Sequence, residues 1–74
     1  MTHYRYTIIL EPQADGGFHV YCPALRGCHS EGASEADAIE NMREAVEAYI
    51  ESMEAHGDPV PREDLLIKPL EIAV

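Results

Sequence analysis

Apolar and polar residues alternate at the start of the chain, with Tyr4, Tyr6, Ile8 and Leu10 set against Arg5, Thr7, Ile9 and Glu11. A period of two, enriched in aromatic and β-branched residues, predicts a first strand that Pro12 ends. Asp15-Gly16-Gly17 is turn chemistry, and alternation resumes with Phe18, Val20 and Cys22 opposite His19 and Tyr21. The two runs predict a hairpin with a loop of several residues. A third, very short strand is predicted over about 27–31, so close behind the second that a meander is the economical arrangement.

The periodicity then changes. Ile39, Met42, Val46, Tyr49, Ile50 and Met53 recur at spacings of three and four, one continuous helical stripe. Ser34 is placed as the N-cap, with the acid Asp37 three residues on, and Gly57 is placed as the stop before Pro59 and Pro61. This predicts a helix over 34–56. Its stripe matches the sheet face that carries Tyr6, Ile8, Leu10, Phe18 and Val20, the domain's only core. Ahead of it, Pro23, Gly27 and Gly32 punctuate the chain: Pro23 fixes its own φ, and the two glycines permit conformations that a side chain would penalise.

After a stiff Asp58-Pro59-Val60-Pro61 connector, the segment from Leu65 to Val74 reads as a final strand interrupted by Pro69. The apolar parity changes there, from Leu65 and Ile67 to Leu70, Ile72 and Val74, which predicts a bulge or an edge position. The fold class is therefore α+β, in the order β-β-β-α-β. A small antiparallel sheet carries one long helix on one face, in a single domain over 1–74 with no separate DNA-binding domain. A chain of 74 residues buries only roughly 60% of its unfolded surface, and an apolar edge strand is a liability unless another chain covers it. Both considerations point to a homodimer or homotetramer.

Composition narrows the function. Fourteen Asp and Glu against five Lys and Arg give a net charge of −9, which opposes binding to a phosphate backbone and favours a basic partner. The same excess also serves simple solubility. The N-terminus lacks the apolar core of a secretory signal, and no apolar run reaches membrane-spanning length. A cytoplasmic location with reduced Cys22 and Cys28 is the expectation.

Much of the acid lies on the helix. Glu40, Glu44, Glu47 and Glu51 stand three and four apart, with Arg43 as the helix's only strong cation. Each like-charge pair costs about 0.2–0.5 kcal/mol in an isolated helix, which a basic partner would relieve. The bland alternative is a solvated face screened by salt. These four carboxylates are the candidate partner-binding residues, with Arg26 and His29 near the turn as lesser ones. Cys22, Cys28 and His29, with His19 as a fourth, form a nominal ligand set. Their spacing fits no C-x-x-C knuckle, however, and parity turns Cys22 toward the core, so no metal or cofactor is expected. The strands offer too few carboxylates for a two-metal nuclease, and Cys28 beside His29 in a strand points the two side chains apart. Catalysis is not expected. Tyr4, Tyr6 and Tyr21 read as packing residues rather than a nucleic-acid stacking platform, which would need a basic groove.

Taken together, the tyrosine-rich first strand, Asp15-Gly16-Gly17-Phe18, Val20, Cys22-Pro23-Ala24-Leu25, Gly27-Cys28, Glu31-Gly32 and the long acidic helix resemble the HicB-like antitoxin family over nearly the whole chain. Pro61, after the helix, is also similar to the family's usual ending. The resemblance implies a partial, non-catalytic ribonuclease H-like fold that binds and blocks a small basic HicA-type ribonuclease toxin. It also implies that the C-terminal DNA-binding segment of many members is missing here. The alternative is a stand-alone oligomeric scaffold or a small ligand- or metal-binding module with no toxin partner.

Overall fold

The computed structural model describes residues 2–74. Three strands form an antiparallel meander: β1 (Ile9–Pro12), β2 (Phe18–Tyr21) and β3 (His29–Gly32), in the order β1-β2-β3. The helix α1 (Glu35–Ala55) follows. The α+β class, the meander and the single long helix agree with the sequence pattern. Register aligns Ile9 with Tyr21 and Glu11 with His19 on one side of β2, and Tyr21 with His29 and His19 with Glu31 on the other.

In the β1–β2 hairpin, the N–H of Gln13 donates to the carbonyl of Gly17 at 2.8 Å. In an antiparallel ladder the backbone groups of successive residues point to opposite sides. The odd-numbered residues of β1 therefore face β2, and the even-numbered ones face the open edge. Pro12 falls on the open side, where no donor is required, and it is the last residue of β1, as the sequence pattern predicts.

Between β2 and β3 the chain makes two consecutive turns. The N–H of Leu25 donates to the carbonyl of Cys22, and the N–H of Cys28 to the carbonyl of Leu25. Pro23 presets φ at the second residue of the first turn, and Gly27, at φ 78°, supplies the positive φ that a type II turn needs at its third residue. The turn folds Leu25 completely into the core, beside Val20, Cys22, Cys28, Ala38 and Met42. Tyr6, Ile8, Leu10 and Phe18 pack against that cluster, as their shared strand face requires.

Helix α1 is bounded as its caps dictate. Ser34, in extended conformation, accepts a bond at Oγ from the N–H of Asp37 at 3.1 Å. At the other end Gly57 adopts φ 72°, its N–H donates to the carbonyl of Glu54, and that of Asp58 donates to the carbonyl of Met53. This pair of bonds is a Schellman motif. The helix packs chiefly on β3 and then β2, and Asn41 ties the two layers by donating from Nδ2 to the carbonyl of Glu31 at 2.8 Å. Gly32 matters for a reason other than φ: a Cβ there would stand 2.3 Å from the N atom of Ala38 and 2.7 Å from its Cα.

Two elements differ from the sequence expectation. The first strand begins at Ile9 rather than Tyr4, because β2 turns away at Pro23 and leaves residues 4–8 without a ladder partner. The predicted final strand does not form within the single chain. Residues 58–74 carry no regular structure, and Leu66, Leu70 and Ile72 are 86%, 83% and 70% exposed. The segment returns only as far as the start of the sheet. There Tyr6 donates from its hydroxyl to the carbonyl of Pro61. Glu63 grips Thr7, accepting from its N–H at 2.5 Å and from its Oγ1 hydroxyl at 2.7 Å. The Glu63 carboxylate thus serves the donor that β2 would have satisfied had it continued.

Two outcomes follow from these contacts. Gly32→Ala forces the helix off the sheet and should lower stability by about 1–3 kcal/mol in denaturant unfolding, the usual cost of overpacking. Glu63 is held below the ordinary carboxylate range by the N–H and then the hydroxyl of Thr7. Because the folded chain prefers the ionised form, the stability this contributes is complete above the unfolded value near 4.5 and is lost as pH falls through the folded one. The difference in melting temperature between the native chain and Glu63→Gln should therefore be largest near neutral pH and close in acid.

Candidate functional site

The candidate residues lie on two surfaces, which the helix–sheet sandwich holds apart. The first is the solvent side of α1. Successive residues advance by about 100° on a helix. Glu40, Glu44, Glu47 and Glu51 consequently fall within one narrow stripe, opposite the side that buries Ala38, Met42 and Ile50. All four carboxylates are exposed. Arg43, the helix's single Lys or Arg, lies with Nε 3.5 Å from Glu40 Oε2, both side chains more than 60% exposed. The pairing is weak and leaves most of the negative field uncompensated.

The second surface is the face of the sheet away from α1. Alternation along the strands brings His19 and Tyr21 of β2 beside His29 of β3, with ring centroids 6.0 Å apart for His19 and Tyr21 and 5.5 Å for His19 and His29. Nδ1 of His19 lies 3.0 Å from Oε1 of Glu11 across the strand pair. Glu31 aligns with His19 from the other side. His29 therefore belongs to an outward imidazole and phenol cluster, and Arg26 is exposed in the turn at the end of the sheet. The six partner-binding residues expected from the sequence do not form one patch. The four carboxylates stand together, while His29 sits on the opposite side of the domain. Glu11 and Tyr21 were missed as companions of His19 and His29, although strand parity already placed them opposite the core face.

The nominal ligand set is also divided. Cys22 and Cys28 are free thiols buried in the core, whereas His19 and His29 point out of the opposite face. Burial, and secondarily the neighbouring Cys22, pushes the Cys28 thiol up. A raised thiol stays protonated at neutral pH and is a poor nucleophile or metal ligand. Tyr6 is likewise raised, first by burial and then by Tyr4, which keeps its phenol a hydrogen-bond donor to Pro61. Among the described residues no group of three or more His, Cys, Asp and Glu side chains is placed to hold a metal ion, and no helix is long and apolar enough to cross a membrane.

Comparison with known proteins finds relatives that match over most of the chain. A UPF0150 protein of Synechocystis sp. is 55% identical over 71 residues, covering 96% of this chain and 90% of the relative. A UPF0150 protein of Thermoplasma acidophilum is 40% identical over 60 residues, covering 81% and 87%, and one of Helicobacter pylori is 35% identical over 60, covering 80% and 83%. Residues 6–71 match the family described as the HicB-like antitoxin of bacterial toxin–antitoxin systems, a span running from the N-terminal segment through the sheet, the helix and most of the C-terminal arm. With that match extending over nearly all of its length, the chain belongs to the HicB-like antitoxin family.

Proposed function

We propose that this chain is an antitoxin, itself without catalysis, whose acidic helix face binds a small basic ribonuclease of the HicA type and blocks its RNA-binding surface. The observation that supports this most is the stripe of Glu40, Glu44, Glu47 and Glu51, all exposed and nearly free of countercharge. A surface that attracts RNA must be basic, so an acidic ridge on a rigid helix is its electrostatic complement and its competitor. Complementary fields steer the encounter and raise the association rate, and they do so less as salt screens them. Family membership supports the antitoxin role. Arg26 and His29 form a separate, lesser contact for a partner that reaches around the sheet.

Purification of the chain from its source cells at low salt, with intact mass analysis of what co-elutes, should recover a small, strongly basic protein that dissociates as salt is raised. Recovery of the chain alone would favour a scaffold without a toxin. The surface is tested by Glu44→Lys combined with Glu51→Lys. These changes turn the repulsive neighbours Glu40/Glu44, Glu44/Glu47, Glu47/Glu51 and Glu51/Glu54 into attractive pairs, each worth about 0.2–0.5 kcal/mol to the helix. The melting temperature should hold or rise while the association rate with the basic partner falls by about tenfold or more. Unchanged binding would remove the acidic stripe from the mechanism.

A further inference from the structure

The helix covers β3 and β2 better than it covers the edge of the sheet beyond β1. An open apolar groove of about 320 Å³ remains there, walled by Tyr6 and Ile8 on one side and by Ile39, Met42, Val46 and Ile50 on the other, with Arg43 and Glu47 at its rim. Along the same edge, the backbone groups of Leu10 face outward, by the ladder alternation that turns the odd-numbered residues of β1 toward β2. A free strand edge beside an apolar groove is the geometry that accepts an added strand, with main-chain bonds to the edge and alternate side chains in the groove.

The chain carries a segment of matching character. Leu65, Leu66, Ile67, Leu70, Ile72 and Val74 are the large apolar residues of an arm without regular structure, at exposures from 44% to 120%. Together they expose on the order of 800 Å², the amount one partner contributes to a standard interface. The arm stretches the molecule: its radius of gyration is 14.3 Å, against about 11 Å for a compact chain of this length. Leu70, Ile72 and Val74 share one parity, as a row of side chains entering a groove must, and Lys68 and Glu71 oppose in sign Glu47 and Arg43 at the rim.

The root of the arm decides whose groove it fills. Pro61 and Glu63 already bond Tyr6 and Thr7 beside the groove, yet Leu70, Ile72 and Val74 of the same chain stay 83%, 70% and 120% exposed instead of entering it. We infer that the groove and the free edge of β1 dock the arm Leu65–Val74 of a second copy of this chain, given and received reciprocally. Reciprocal exchange closes on itself as a two-fold dimer, completes the sheet of each copy with a strand from the other, and removes the exposed edge.

The inference is independent of the antitoxin reading and is tested without a toxin. Light-scattering mass of the full chain at about 100 μM should be at least twice 8.2 kDa. Leu70→Glu with Ile72→Glu, in the arm, should at least halve that mass while circular dichroism still reports the helix. Ile39→Glu, in the groove, should do the same. Mixing the two variants should restore a dimer with one copy of each, because one intact arm and one intact groove remain. A monomeric native chain, an arm variant of unchanged mass, or a mixture that stays monomeric would each overturn the exchange.

Discussion

Everything in this domain depends on the contact between the backbone of β3 at Gly32 and the first turns of α1 at Ala38. No side chain separates the two layers there, since a Cβ on Gly32 would overlap the N atom of Ala38. Ala38 is itself fully buried, and the helix has barely begun when it meets the sheet. Such a close crossing fixes the rotation of the helix as well as its distance, because only its smallest side can approach. With rotation fixed, Met42 and Ile50 are turned inward, and Glu40, Glu44, Glu47 and Glu51 are turned outward without further adjustment.

The contact also decides which strands the helix covers. Anchored on β3, the first strand reached from its N-terminus, α1 lies over β3 and β2 and leaves the far edge thinly covered. A helix of 21 residues spans roughly 31 Å, whereas a strand of four spans roughly 13 Å, so the sheet cannot fill the helix's apolar flank. The groove by Tyr6 and Ile8 is the geometric remainder of that mismatch. Leu25 reduces it at the other end, because the double turn after β2 drives a side chain of full size under the helix where no strand reaches.

Charge is separated from packing as a result. Among the described residues no buried side-chain polar atom lacks a hydrogen-bond partner, and the core cluster consists of apolar residues and two thiols. The acids can therefore accumulate on one exposed side without a desolvation cost, and what remains is mutual repulsion that salt or a cationic partner relieves. Glu63 is a carboxylate used structurally, since two donors from Thr7 hold it in place.

The sequence by itself determined each element whose cause is local. Alternation gave the first two strands, the three- and four-residue stripe gave the helix, and Ser34 and Gly57 bounded it to within a residue, because caps act on neighbouring backbone groups. Strand parity likewise told inward Val20 and Cys22 from outward His19 and Tyr21. Tertiary structure alone decided what depends on distant segments meeting. Gly32 is required by crowding against Ala38, not by its own φ. Glu63 acts on Thr7 across 56 positions of chain. His29 is parted from the acidic stripe by the full thickness of the sandwich. The alternating apolar arm from Leu65 to Val74 shows the limit of pattern: periodicity states that a segment can be a strand, but a strand exists only where another backbone lies beside it, and within one chain none does.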